Sequence, residues 1–259
     1  MTRDEKAVSE VIGYIIILGI VFISFGLIFF NATAIFTDTE ETERLENAQR
    51  GFTVLQSNVD EVVFGESPRQ ETKVRLGSGS VSVANQRTRI MLEVDGDEVR
   101  NQTLSTVEYT LEDEGVTYEN GAIFRQSVGS VAMASEPGWV TRENDNTMDI
   151  VSIPTVRTFG GGSVGGDGTA SVRTVSAGDA FVERVPADTE STVNVTIVSE
   201  NAVAWNRYME DFEAEDDVGV VDNVTQINED RVRMDMTIDD TGYGKTFVYV
   251  ERPIRVEVR

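Results

Sequence analysis

The segment LENAQRGFTVLQSNVDEV, from Leu45 to Val62, carries its apolar residues at the spacing of one helix face. The steps between them are three or four residues, so the apolar side chains line up on one side of an α-helix. These residues are Leu45, Ala48, Phe52, Leu55, Val59 and Val62. Pro68 then supplies a helix stop. The segment is therefore predicted to be an amphipathic helix whose apolar stripe packs against another part of the chain.

A long apolar run precedes this segment. Val11–Phe30 reads VIGYIIILGIVFISFGLIFF and contains no charged residue. A helix of this length spans about 30 Å, which matches a bilayer's hydrocarbon core and exceeds the apolar part of most secretory signal peptides. Between the two segments, Thr37–Asn47 is polar and acidic but lacks Pro and Gly. The sequence therefore predicts one nearly continuous helix from about residue 8 to 63, with its first half in a membrane.

The residues after this helix change to the period-two pattern of β-strands. Turn signals interrupt the pattern at Asp95-Gly96 and at Asn120-Gly121, where positive φ angles are favoured. One further helix is predicted over Asn201–Glu213, with Trp205 in the core. The fold class is therefore predicted as α+β, with a long N-terminal helix followed by an all-β, sandwich-like domain that contains one short helix. The glycine-rich stretch Arg157–Val172 (RTFGGGSVGGDGTASV) is predicted to be a loop, since it has no P-loop lysine and no following helix.

The first residues carry a processing junction of a known kind. A short hydrophilic leader, Met1–Lys6, is followed by Ala7, Val8, Ser9, Glu10, Val11, Ile12 and Gly13. Residues 1 to about 63 resemble archaeal type IV pilin-like surface proteins, in which a Lys or Arg and a small residue precede a Val-Ser-x-Val-Ile-Gly type of start. The resemblance implies cleavage by a prepilin peptidase at the junction formed by Lys6, Ala7 and Val8. It also implies assembly with like subunits or other pilins through the N-terminal helix.

Three residues are candidates for that assembly. Glu10 would be the third residue of the cleaved chain, whereas bacterial pilins place their carboxylate at the fifth position, which is Ile12 here. Glu10 either pairs with a neighbour's new amino terminus or simply contacts water at the edge of the apolar run. Gly19 and Gly26 are seven residues apart and share a helix face, which allows two helix backbones to approach closely. The predicted division is a leader at 1–7, a membrane or filament-core helix at 8–36, its amphipathic continuation at 37–66 and a β-rich head at 67–259.

The charge balance restricts the partners. The chain has 45 Asp and Glu against 22 Lys and Arg, a net charge of −23, and only three of the cations are lysines. Nucleic acid is excluded as an expected partner, because phosphate binding needs a strongly basic face. The composition is similar to that of proteins from salt-loving archaea, since repulsion between carboxylates is screened within about 3 Å at 1 M salt.

Catalysis and metal binding are not expected. The chain lacks both Cys and His, which removes disulfides, thiolate metal sites and the commonest general base. Acidic pairs such as Asp95 and Asp97 lack the spacing of an EF-hand and are predicted to be solvated turns. We therefore predict no enzyme activity, no catalytic residue, no cofactor and no specific metal site.

Location and function are predicted from the membrane segment and its flanks. The acidic flank after the apolar run and four Asn-x-Thr triplets favour a head domain outside the cell, with glycosylation candidates at Asn101, Asn194 and Asn223. The predicted location is the cell membrane and cell surface. The predicted function is an exported, membrane-anchored, pilin-like subunit of a surface filament, or an accessory or minor pilin, with a structural or adhesive role. The alternative is a monomeric, membrane-anchored binding domain for a sugar, an ion or another surface protein.

Overall fold

The structure is a computed structural model that describes residues 3–65, 67–142, 149–186, 190–216, 218–239 and 244–259. For residues 3–15 and 25–41 of the first helix, the structure describes the backbone but not the side chains. Contacts between residues divide the chain into two units, which comprise residues 1–44 and residues 45–259.

The described residues form two helices and fifteen strands. The helices are α1 (Arg3–Val63) and α2 (Ala202–Ala214). The strands, in chain order, are β1 (Arg69–Arg75), β2 (Ser80–Val94), β3 (Asp97–Leu111), β4 (Glu114–Glu119), β5 (Ala122–Ser127), β6 (Ser130–Ser135), β7 (Val140–Arg142), β8 (Asp149–Gly161), β9 (Ser163–Gly165), β10 (Thr169–Ser176), β11 (Phe181–Val185), β12 (Ser191–Val198), β13 (Val221–Asn228), β14 (Arg231–Ile238) and β15 (Lys245–Val258).

The strands of the second unit form two sheets. Sheet A has six strands in the order β1-β10-β15-β8-β7, with β11 also paired to β15. Sheet B has nine strands in the order β13-β14-β12-β2-β3-β4-β5-β6, with β9 also paired to β2. Strands β8 and β15 run parallel, and the other described pairs are antiparallel. Non-neighbouring segments of the sequence therefore lie side by side in both sheets.

The predicted apolar stripe of α1 is buried in the second unit. All six of its predicted residues, Leu45, Ala48, Phe52, Leu55, Val59 and Val62, are at most 6% exposed. They form one cluster with strand residues of both sheets, including Val74 and Val256 of sheet A and Val107 and Tyr118 of sheet B. Gln56 adds a polar anchor, because its Nε2 donates to the carbonyl oxygens of Gly121 (2.6 Å) and Glu136 (2.9 Å). The prediction of a stripe that packs on the strands is confirmed.

A second core forms around α2. Trp205 is fully buried and packs with Phe124 of β5, the two ring centroids being 5.5 Å apart. Apolar residues of β12, β14, β8 and β15 complete this cluster. The predicted helix over Asn201–Glu213 and the core position of Trp205 are confirmed.

Both predicted hairpin turns are present. Asp95 and Gly96 join β2 to β3 with φ angles of 52° and 84°, and Asn120 and Gly121 join β4 to β5 with φ angles of 47° and 83°. These are the positive values that a two-residue hairpin turn requires. The pairing of β2 with β3 and of β4 with β5 thus follows from local turn chemistry.

The predicted fold class, α+β with a long hydrophobic helix, is wrong. The described chain is mostly β, because the strands continue through nearly the whole of the second unit and form two large sheets. No helix within the described residues is both long enough and apolar enough to cross a membrane. The predicted membrane segment, and the predicted location at the cell membrane that depended on it, are corrected accordingly.

The glycine-rich stretch is also different from its prediction. Most of Arg157–Val172 belongs to β8, β9 and β10 rather than to a loop. Gly160, with a φ angle of 154°, lies against β15 so closely that a Cβ atom would be 1.7 Å from the carbonyl oxygen of Val256. Here glycine permits close approach of two strands, a use of glycine that composition alone does not separate from a loop.

Shortening Leu55 is expected to destabilise the second unit. Leu55→Ala removes a fully buried side chain, so the free energy of unfolding should fall by about 2–5 kcal/mol. Val54→Ala is the matched control, because the adjacent Val54 is 52% exposed and its loss should change that energy by less than about 0.5 kcal/mol. Urea denaturation followed by tryptophan fluorescence measures both values. Equal effects of the two substitutions would contradict the packing of the stripe.

Candidate interaction site

The first unit presents an exposed apolar surface on α1. Seven large apolar residues between positions 16 and 23 are 41–68% exposed: Ile16, Ile17, Leu18, Ile20, Val21, Phe22 and Ile23. Successive residues of a helix point about 100° apart, so these side chains cover the whole circumference and not one stripe. We call Ile16–Ile23 the apolar collar.

Of the predicted assembly residues, only Gly19 lies in the described part of the collar. A Cβ atom at Gly19 would meet nothing within 4 Å, so this position is open to a neighbouring helix. For Glu10, Gly26 and the predicted junction residues Lys6, Ala7 and Val8, the structure describes only the helical backbone. Their predicted roles stay predictions.

The three predicted glycosylation candidates occupy different environments. Asn101 is exposed on β3 and donates to Glu98 (2.9 Å), and Asn223 is exposed on β13 and donates to Thr225 of its own triplet (2.7 Å). Asn194 is half-buried on β12, between Glu93 of β2 and Asp235 of β14. Modification of the three remains a prediction, and Asn194 is the least accessible of them.

An acidic concavity lies beside α2. Its volume is about 370 Å³, and its lining includes the carboxylates of Glu136, Asp211 and Glu215. Aromatic side chains form the wall: the ring centroid of Trp139 is 5.4 Å from that of Tyr208 and 5.8 Å from that of Phe212. Burial raises the pKa of the Tyr208 hydroxyl, and the nearby carboxylates of Glu136 and Glu215 raise it further. The concavity thus combines aromatic surface with concentrated negative charge.

A basic face lies on sheet A, although the chain as a whole is strongly acidic. Strand pairing places Arg69 and Arg255 on either side of Val175, and Arg173 between Glu71 and Glu257. Directly paired residues point to the same side of a sheet, and so do alternate residues along each strand. The cationic residues of this side are Arg69, Lys73, Arg75, Arg173, Arg255 and Arg259, which we call the basic face.

Few cations of the basic face form ion pairs within the described residues, although the guanidinium of Arg255 lies over the Phe159 ring, 5.5 Å from its centroid. Arg259 pairs with Glu257 at 2.8 Å. Among the described residues, no ion pair is formed by the other five cations of the face. A concavity of about 600 Å³ lies against Arg69, Arg173 and Arg259. The sequence signal for this face was the alternation of charge along β1, from Arg69 to Arg75, but the register with β10 and β15 was needed to assemble it.

Two carboxylates of the second unit are buried and accept several hydrogen bonds each, and the sequence reasoning missed both. Glu119, at the end of β4, is 1% exposed and accepts from Trp205 Nε1 (2.7 Å), Asn201 Nδ2 (2.9 Å) and Ser199 Oγ (2.9 Å). Burial raises the pKa of Glu119, and these hydrogen bonds oppose that effect. The adjoining cavity of about 30 Å³ holds about one water molecule, so the site has no room for a substrate. Glu119 therefore connects α2 to sheet B.

Glu251 connects the two sheets in a similar way. Its carboxylate, 1% exposed on β15, accepts two hydrogen bonds from Arg100 of β3, at 2.9 Å and 2.8 Å. Arg157 Nε lies 3.1 Å from the same carboxylate. The hydrogen bond to Glu251 raises the pKa of Arg100, which also stacks on Phe181 at 4.3 Å. Within the described residues no group of three or more acidic side chains is arranged to hold a metal ion.

Replacing Glu119 by Gln is expected to destabilise the fold, although the two side chains have nearly the same shape. Donors face both carboxylate oxygens, so either orientation of the amide places its NH₂ group against an N–H or O–H donor. We expect Glu119→Gln to lower the free energy of unfolding by about 1–3 kcal/mol, measured by urea denaturation. Glu112→Gln, at an exposed turn, is the matched control and should be nearly neutral. A neutral Glu119→Gln would show that the carboxylate is not needed as an acceptor.

Comparisons with known proteins extend over nearly the whole chain but name no activity. An uncharacterized protein of Archaeoglobus fulgidus is 30% identical over 79 residues, which cover 30% of this chain. The matched part spans about a quarter (26%) of that relative's length. No solved structure matches the chain. The model of the family of unknown function DUF7289 matches residues 6–250. The chain therefore belongs to the DUF7289 family.

Proposed function

We propose that the chain is a structural subunit that associates with other copies of itself through the apolar collar of α1. The observation that carries this proposal is the exposure of large apolar side chains around the whole helix between Ile16 and Ile23. A helix that is apolar on all sides belongs in an interior, and a bundle of identical helices provides one. The open space at Gly19 supports close approach of a second helix.

The collar contributes substantially to association. Complete burial of one Leu, Ile or Phe side chain contributes about 1.5–3 kcal/mol relative to exposure. Several such side chains, each about half exposed, offset a substantial part of the loss of translational and rotational freedom on binding. Because the collar faces all directions, one helix can contact more than one neighbour, so larger assemblies are favoured over a closed dimer.

The alternative is a monomeric binding domain. The acidic concavity is the observation in its favour, because it combines aromatic walls with carboxylates and lies in the size range of ligand pockets. It leaves the exposed collar without a function. We therefore place self-association first.

Placing charge in the collar is expected to prevent assembly. Ile20→Asp and Phe22→Asp together put carboxylates on two different sides of the helix, where packed neighbours would have to desolvate them. Light scattering of the full chain should show regular multimers for the wild type and at least a tenfold weaker association for this variant. Thr53→Asp with Ser57→Asp is the matched control, because it adds the same charge at exposed positions of α1 outside the collar. A wild-type chain that stays monomeric, or a collar variant that assembles normally, would support the binding-domain alternative instead.

The resemblance to pilin-like proteins makes a separate prediction about processing. If the junction at Lys6, Ala7 and Val8 is cut as in those families, the mature chain begins at Val8. The intact mass of the chain purified from its native source measures this directly. Ala7→Asp should block the cut and leave the leader in place. A native chain that retains residues 1–7 would contradict the resemblance without affecting the proposed self-association.

A further inference from the structure

We propose that neighbouring copies also contact each other through their second units, where arginines of the basic face of one copy enter the acidic concavity of the next. This inference rests on the proposed function, since it names a further contact within the same assembly. It assigns a role to two surfaces that the collar does not use. Both surfaces lie entirely in the second unit.

Charge complementarity is the first argument. The chain carries −23 in total, yet six cations and only two acids, Glu71 and Glu257, share the exposed side of β1, β10 and β15. Arg69, Lys73, Arg75 and Arg255 are exposed there. Complementary patches steer association and fix its orientation, while the remaining acidic surface suppresses other pairings. A surface of opposite sign to the rest of the chain is therefore suited to an acidic partner, and other copies of the chain are such partners.

The chemistry of the concavity is the second argument. Arginine is the side chain that both stacks on aromatic rings and pairs with carboxylates, and the concavity provides Phe212 and Tyr208 beside Asp211 and Glu215. The chain already uses this combination elsewhere, since Arg100 stacks on Phe181 while it binds Glu251. Among the residues described, no hydrogen bond or ion pair engages the side chains of Glu136, Asp211 or Glu215. The concavity therefore offers free acceptors to an incoming guanidinium.

The position of these acids on α2 is the third argument. The last turn of α2 has no basic residue, and Asp211 and Glu215 lie at the helix end where the macrodipole is negative. Negative charges at this end are unfavourable, and a cation there is favourable by about 0.3–1 kcal/mol. The neighbouring Asp216 has an internal role, because its carboxylate accepts from the backbone N–H groups of Val218, Val220 and Val221. No described residue gives Asp211 or Glu215 such compensation, and a cation from a partner would provide it.

The resulting contact is heterologous. The basic face and the acidic concavity consist of different residues, so each copy can use its face on one neighbour and its concavity on another. Repetition of a heterologous contact produces a ring or, if the rotation does not close, a filament. In concentrated salt the Coulomb attraction is screened within a few ångströms. The stacking of guanidinium groups on aromatic rings depends less on long-range charge, so the contact remains possible there.

A charge exchange between the two surfaces tests the proposal. One variant carries Arg69→Glu with Arg255→Glu, and the other carries Asp211→Arg with Glu215→Arg. In light-scattering titrations of the full chain, we expect each variant alone to associate at least tenfold more weakly than the wild type. An equimolar mixture should recover association, because the reversed face of one variant then meets the reversed concavity of the other. Tryptophan fluorescence and circular dichroism establish that each variant is folded.

Two controls carry equal charge changes elsewhere. Arg87→Glu with Arg89→Glu matches the first variant, and Glu112→Arg with Asp113→Arg matches the second, all at exposed positions of sheet B or its turns. Both controls should associate like the wild type. If the two test variants also associate like the wild type while the collar variant does not, the inference is wrong and the proposed function stands. If the collar variant assembles normally, the proposed function itself fails.

The competing hypothesis is that the basic face binds an anionic polymer instead of another copy of the chain. A separate experiment distinguishes the two. Inorganic polyphosphate is the probe, added to the wild type and to the Arg69→Glu, Arg255→Glu variant. We expect polyphosphate to compete with self-association of the wild type. Tight binding of polyphosphate to the wild type alone, without any change in self-association, would assign the basic face to an anionic polymer and overturn the inference.

Discussion

Burial of the apolar stripe of α1 against both sheets is the contact on which the second unit depends. Leu45, Phe52 and Val59 belong to one cluster with residues of β1, β10 and β15 on one sheet and of β2, β3 and β4 on the other. A sheet needs one face covered by another element, and here a single helix covers parts of two sheets. Gln56 and Asn58 add hydrogen bonds to a strand turn and to β1, which fix how the helix lies on them.

Carboxylates have two separate uses in this chain. Most of those whose burial the structure describes are exposed, and their mutual repulsion is tolerable when salt screens it. Glu119 and Glu251 are buried instead, where each is surrounded by donors and joins elements that are distant in the sequence. A buried carboxylate without partners costs several kcal/mol, so these two positions tolerate little change in their surroundings.

Local patterns predicted much of the structure, and distant contacts explain what they missed. The stripe, the turns at Asp95-Gly96 and Asn120-Gly121, and the core position of Trp205 were predictable because each depends on spacing or residue type within a short segment.

Glu119 was not predictable, because its partner Trp205 is 86 residues away along the chain. The basic face was missed for a similar reason, since Arg255 joins Arg69 only through the register of three strands. The glycines near Gly160 lie in strands although a loop was predicted, since close strand packing and loops both use glycine. The predicted membrane helix is corrected, because no helix within the described residues is both long enough and apolar enough to cross a membrane.

The position of β15 has a consequence for how the chain reaches its fold. This strand pairs with β8, β10 and β11, and its residues Ile254, Val256 and Val258 share the cluster of the apolar stripe. Most of the sequence lies between α1 and these residues of β15. At a synthesis rate of about 5–20 residues per second, the stripe waits on the order of ten to forty seconds for its last partners to emerge from the ribosome. During that interval the apolar side chains of Leu45–Val62 lack part of their final packing. A chaperone or the early strands must cover them until β15 has been synthesised.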